Sequence, residues 1–280
     1  MRPLAIAVLA AALFACSPPP SAVEPIATAE PTETALPAVT SAPSATPTAA
    51  PVEVPPAIRA VVDASDRSTE DRALDEGRRP AEMLAFFGIG SGMRVAELGA
   101  GGGYTAELLA RTVGPTGKVY GQNTKFILEK FAEKPWTERL KKPLMANVVR
   151  VDREFDTPLP PEARDLDAVF LVLFYHDLYW MKVDRAKMNK AIFDSLKSGG
   201  LYAIVDHTAQ SGAGESVVQT LHRIEEKTVR ADIEAAGFKL DKEASFLRHA
   251  ADTKDWNASP SGAGERRGTT DRFVLAFRKP

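Results

Sequence analysis

Val95-Ala96-Glu97-Leu98-Gly99-Ala100-Gly101-Gly102-Gly103-Tyr104 is the stretch on which the fold turns. An apolar run closes on an acidic residue and breaks into glycines. An amphipathic segment, Tyr104 to Val113, follows at once. Such a strand-to-helix turn lets a ligand lie against bare backbone while the helix start offers unpaired N–H donors. A dinucleotide fingerprint, G-x-G-x-x-G/A, requires a small residue at position 104, and Tyr104 excludes it.

Working outward, Ala57 to Asp63, Ser68 to Glu76 and Pro80 to Phe87 read as helices before the core, with Pro80 suited to a first helical turn. The Arg/Glu pattern over 67–82 reads as a solvated helical face, with a lid over the cofactor as the alternative. Met93 to Leu98 is the first strand. Lys118 to Gly121 opens the second, and a helix over Lys125 to Phe131 follows. Asn147 to Val151 is the third strand, and Ala168 to Phe174, seven apolar residues without alternation, suits a parallel strand covered on both faces. A helix from Arg185 to Leu196 ends at Gly199-Gly200, and Leu201 to Val205 is the fifth strand. Glu225 to Ala236 is a helix, and Phe238 to Leu247 and Arg272 to Arg278 are the last strands. This alternation calls for a doubly wound, Rossmann-like α/β domain built by right-handed crossovers.

Within that frame E-x-G-x-G-x-G, from Glu97 to Gly103, resembles the loop of class I S-adenosylmethionine-dependent methyltransferases. The likeness extends over 78–280, through Gly117-Lys118-Val119-Tyr120-Gly121, Gly199-Gly200-Leu201 and Ala236-Gly237-Phe238. Arg79-Pro80-Ala81-Glu82, Tyr175-His176-Asp177 and Asp271-Arg272-Phe273-Val274 are more narrowly similar to a group of exported bacterial methyltransferases. The resemblance implies a mostly parallel seven-stranded sheet with an antiparallel C-terminal strand and S-adenosylmethionine as cofactor. It implies that Glu97 meets the methionine end, and that Gly99, Ala100, Gly101 and Gly103 give close approach. Asp152 would contact the adenine amino group, with Glu154 or Asp156 as alternatives. Where relatives end the second strand on a carboxylate for the ribose hydroxyls, this chain has Gln122-Asn123. Asn123 is expected to take that role through a weaker, uncharged bond, so Asn123→Asp is expected to tighten binding.

Ligands in such sheets lie beyond the carboxyl ends of the strands. By the resemblance the fourth and fifth strands are neighbours, which brings Tyr175-His176-Asp177 and Asp206-His207 to one edge. His176 and His207 are the candidate proton acceptors, and Tyr175 a wall beside the transferred methyl group. His222 is a third histidine able to reach the same pocket. Two histidines with Asp177 or Asp206 have the composition of a metal triad, but no tight ligand spacing is present and no metal is assigned.

The first 56 residues differ in kind. Met1 to Cys16 has Arg2, an apolar run and Leu13-Phe14-Ala15-Cys16, which resembles a lipoprotein signal with the chain's one cysteine at the lipidation point. Residues 17–56 hold 11 of the 21 prolines and no Lys, Arg or aromatic residue, the composition of a disordered linker. The reading is therefore a signal (1–16), a tether (17–56) and one domain (57–280), exported and anchored by lipid on Cys16 to the periplasmic face of the outer membrane. With a formal charge of −2 overall and +1 for the domain, nucleic acid is not an expected partner. The expected function is methyl transfer to a small molecule or envelope component. The alternative is an exported, non-catalytic binding module that keeps the fold.

Overall fold

The placement of the glycine turn between a strand and a helix holds in the computed structural model, which describes residues 51–280. The signal and nearly all of the tether lie outside the described residues. Four helices come first: α1 (Pro56–Val62), α2 (Thr69–Arg72), α3 (Asp75–Arg78) and α4 (Pro80–Phe87). The core then runs β1 (Arg94–Leu98), α5 (Tyr104–Val113), β2 (Lys118–Asn123) and α6 (Lys125–Ile127). A π-helical turn (Leu128–Ala132) leads into α7 (Glu133–Leu140), followed by β3 (Val148–Asp152) and β4 (Leu166–Val172). Next come α8 (Tyr175–Trp180), α9 (Arg185–Ser195), β5 (Leu196–His207), α10 (Val218–Leu221), α11 (Glu226–Ala235), β6 (Lys239–Ala244) and β7 (Arg272–Arg278).

The strand order is β3-β2-β1-β4-β5-β7-β6, with β7 antiparallel to both β5 and β6 and the other described pairings parallel. Chain order reverses between β1 and β4, and their carboxyl ends define the crevice that doubly wound sheets use for ligands. Val95, Ala96 and Leu98 of β1 and Val169, Phe170 and Leu171 of β4 are fully buried, as strands covered on both faces must be. Leu108, Leu109 and Val113 on α5 bury against this sheet, each contributing roughly 1.5–3 kcal/mol. At the far edge β6, Lys-Leu-Asp-Lys-Glu-Ala, is largely exposed and charged, which discourages further strand addition.

Capping sets several boundaries. Thr124 accepts from Ile127 N–H at 3.2 Å and starts α6, while Asp184 accepts from Lys187 N–H at 3.0 Å and starts α9. Three local expectations differ from the structure. Ser68 to Glu76 forms two short helices, because the chain turns at Ala73-Leu74 and puts Asp75 against Arg67 at 2.6 and 2.7 Å. The Arg/Glu pattern over 67–82 is accordingly no solvated face: Arg67 and Asp71 are buried. Asp71 pairs with Arg139 at 2.6 Å, and Asp75 accepts from Tyr104 Oη at 2.6 Å, which ties α2 and α3 to α5 and α7. Finally, α9 ends at Ser195, and Leu196 is already extended, so Gly199 is not the helix cap.

Candidate cofactor loop and histidine cluster

The glycine loop is held by β2. Gly99 N–H donates to Gln122 Oε1 at 3.0 Å, and Gly101 N–H donates to Asn123 Oδ1 at 2.8 Å. Asn123 Nδ2 returns a bond to Gly101 C=O at 3.1 Å. Both ends of the Asn123 amide therefore serve the loop backbone, and the side chain is fully buried. The ribose role expected of Asn123 would fall to a side chain that already holds the loop, with one lone pair and one N–H left over. From the other side Arg139 Nε donates to Gly102 C=O at 2.6 Å.

The glycines do three different things. A Cβ on Gly103 would sit 2.4 Å from the Trp136 ring, so that position makes room for the protein's own indole. A Cβ on Gly99 would lie 3.1 Å from Phe174. Gly101, at φ +55°, has nothing within 4 Å of such an atom and is the one of the three that presents an open face. Ala100 lies beside it, its N–H bonded to Gln122 C=O at 2.9 Å.

Beneath the loop Glu97 is buried at 4% exposure, and its Oε2 has no hydrogen-bond partner. Burial pushes its carboxyl up to about 8, against the opposing pull of the Thr105 hydroxyl and the Arg78 charge. Thr105 and Arg78, which act on that carboxyl, line a small cavity of about 10 Å³ together with Tyr104, Leu173 and Arg272 among others. That is room for about one water. Arg78 stacks on the Tyr104 ring at 4.5 Å and, among the described residues, makes no ion pair. Burial, with each other's charge a further cause for Arg272, lowers the pKa of both Arg78 and Arg272. An acid with an unpartnered oxygen and, near it, the Arg78 guanidinium without an ion pair are complementary to the two charges of an amino-acid zwitterion. The residues fit the methionine end of S-adenosylmethionine. Asp152 is exposed at the end of β3, where it accepts from Arg150 Nε at 2.9 Å.

At the ends of β4 and β5 three histidines meet. The His176 ring lies 5.7 Å from that of His207 and 5.4 Å from that of His222. The fully buried Asp206 accepts from His176 N–H at 2.8 Å, from His207 N–H at 2.7 Å, and pairs with His176 Nδ1 at 2.7 Å. Burial opposes a charge on His176, but the Asp206 carboxylate and Asp177 outweigh it and raise its pKa. His207 bonds Thr270 Oγ1 through Nδ1 at 2.8 Å. Its burial, then the nearby His176, Arg272 and Arg223, hold its pKa well below the ordinary histidine range. Tyr175 does not join this group: its ring is fully buried and its hydroxyl lies 3.0 Å from Asn189 Nδ2 and 3.3 Å from Asp232. The reason is that α8 begins at Tyr175, so successive residues diverge by about 100° around the helix.

With this geometry in view, comparison with known proteins gives one answer for the fold. The chain has the class I S-adenosylmethionine-dependent methyltransferase fold. Residues 64–150, which hold the glycine loop, match the family model of protein-L-isoaspartate(D-aspartate) O-methyltransferase. A SAM-dependent methyltransferase from Aquifex aeolicus is 21% identical, with 75% of this chain and 97% of that one covered and a TM-score of 0.51. An arsenic(III) S-adenosylmethionine methyltransferase from Chlamydomonas reinhardtii is 19% identical over 81% of this chain and 74% of that one, with a TM-score of 0.50. The (4+2)-cyclase SpnF is 15% identical over 78% and 85%, at 0.52. The fold is thus shared with proteins of different chemistry, and function must be argued from the site.

Proposed function

We propose that the domain binds S-adenosylmethionine against Glu97–Gly103 and transfers its methyl group to an acceptor held beside the histidine cluster. The observation that carries this reading is the buried, unpartnered Glu97 Oε2 beside the open backbone at Gly101. Glu97 receives the α-ammonium group, Arg78 the carboxylate, and Asn123 keeps the loop in shape. The cofactor supplies an electrophilic methyl group on a sulfonium, and the displacement chiefly needs alignment. The acceptor's proton passes to His176 Nε2, which Asp206 orients through Nδ1. His207, neutral at pH 7 by its lowered pKa, orients the acceptor. The acceptor is a small molecule or an envelope component, reached from a lipid anchor at Cys16. No helix among the described residues is long and apolar enough to cross a membrane.

A second reading has its own support. Asn123 is engaged by Gly101, and no carboxylate ends β2 for a ribose, which suits a binding module that has kept the fold without methyl transfer. Equilibrium dialysis of the full chain against S-adenosylmethionine and S-adenosylhomocysteine, followed by a search for labelled methyl groups in an envelope extract, separates the two. Binding with transfer supports the enzyme and binding alone supports the module. Binding of neither at millimolar concentration overturns both placements of the cofactor.

A further inference from the structure

We infer that His176, Asp177 and His222 form a binding site for a zinc-type divalent cation at the carboxyl edge of β4 and β5. One ligand atom from each lies within 4.8 Å of the others. His176 Nε2 and His222 Nδ1 are each 3.3 Å from Asp177 Oδ1. Those separations are longer than the 2.7 Å bond from His176 to Asp206. They match the edge of about 3.4 Å expected between two ligands bound tetrahedrally at about 2.1 Å.

The surroundings prepare each ligand. Asp206 engages His176 Nδ1, which fixes the tautomer that leaves the Nε2 lone pair facing Asp177 and His222. Asp206 is itself fixed by the backbone N–H groups of His176 and His207, so the carboxylate–histidine pair is rigid. Trp180 Nε1 donates to Asp177 Oδ1 at 2.6 Å and orients that carboxylate. His222 sits at φ +49°, a conformation rare for residues with a side chain. It is the left-handed cap that ends α10, and the next residue, Arg223, pairs its buried guanidinium with Asp252 at 2.7 Å and bonds Trp256 C=O at 3.1 Å.

Two imidazoles and one carboxylate suit a borderline ion, and three protein ligands leave a coordination position open, as in catalytic and not structural sites. His207 faces the cluster with Nε2 uncommitted, its Nδ1 being bonded to Thr270. An oxygen ligand in the open position would therefore have a hydrogen-bonding neighbour. An ion on His176 Nε2 occupies the lone pair assigned above to the acceptor's proton and takes over activation of that oxygen. The inference does not depend on the methyl-transfer reading: the ion is titrated with no cofactor present, so either proposal can fail alone.

The test is titration of the chelator-treated full chain with zinc, and with cobalt for its visible absorption. Wild-type chain should bind one ion with micromolar or tighter affinity and give the intense bands of a low-coordinate cobalt complex. Asp177→Asn and His222→Asn should each weaken binding at least tenfold, Asn being tolerated at the positive φ of position 222. Asp206→Asn should weaken it by about 10- to 100-fold. His249→Asn, outside the cluster, should leave it unchanged. Unfolding curves of each variant separate lost ligands from lost structure. Absence of saturable binding overturns the site, as does wild-type affinity in a folded Asp177→Asn or His222→Asn chain.

Discussion

The glycine loop and the histidine cluster lie at the same edge of one sheet and are built in opposite ways. The loop is contiguous, ten residues that announce themselves in sequence, and most of its backbone bonds are made within it or to the next strand. The cluster draws on four segments, with ligands at 176 and 177 on α8 and 222 after α10, and supports at 180 on α8, 206 on β5 and 270 before β7. A contiguous motif reveals where a ligand sits but not which of its residues touch it. A dispersed cluster reveals its chemistry only when the fold has closed.

That difference can be broken by mutation. The largest effect is expected at Gly101→Asp. An added Cβ there meets nothing within 4 Å, and Asp is among the residues that visit φ +55° at modest strain, so the chain should still fold while the open face is filled. Affinity for S-adenosylmethionine should fall more than about 100-fold, as an unpaired buried charge implies; retained affinity measured by dialysis would move the cofactor elsewhere.

Gly103→Ala should act on stability instead. Its Cβ meets Trp136 at 2.4 Å and its φ is +85°, so unfolding in denaturant should show a loss of about 2–4 kcal/mol. Trp136→Leu in the same chain should show non-additivity, because the two share one space. Additive losses would mean that the indole is not what requires Gly103.

Glu97→Gln sharpens the loop's chemical half. Loss of a charged partner for the α-ammonium group should weaken binding by about 10- to 100-fold, the range of a hydrogen bond to a charged group. It should also change the response to pH. The Glu97 pKa is raised to about 8 in the folded chain from 4.5, so the stability linked to its proton is complete below pH 4.5 and is lost as pH rises through 8. Wild-type melting temperature should therefore decline between pH 5 and 8 more than that of Glu97→Gln. Equal slopes would contradict the assignment.

Asn123→Asp now carries the opposite expectation from the one the strand-end comparison suggested. The carboxylate keeps the bond from Gly101 N–H but cannot donate to Gly101 C=O, so the loop should lose about 1–3 kcal/mol and bind more weakly. Tighter binding would restore the ribose role. The smallest effect is expected at Tyr175→Phe, about 1 kcal/mol in stability from the bonds to Asn189 and Asp232, with no change in ligand affinity.

These particulars explain what the sequence made legible. β7 was read to the residue, as were α4 and α5, because apolar period, Pro80 and the glycine breaks mark their ends. The splitting of 68–76 depends on Asp75 finding Arg67 and Tyr104. The continuation of α6 through a π-helical turn into α7 depends on Trp136 packing between Gly103 and Gly121. At the site, the turn from Glu97 into the glycines was legible from the motif and the proximity of the three histidines from strand order. Arg78 was not, since an arginine in a charged helical stretch gives no sign that it turns inward. Nor was the separation of Tyr175 from its neighbour His176, which follows from a helix starting there.

The central claim, that Glu97 and Gly101 form the cofactor's amino-acid end, is tested most directly by calorimetric titration of the full chain with S-adenosylmethionine near pH 7 in two buffers of different ionisation enthalpy. The account predicts saturable binding with release of a proton, because Glu97, protonated in the free chain, must ionise to receive the ammonium group. Absence of binding, or binding with no proton released, would contradict it.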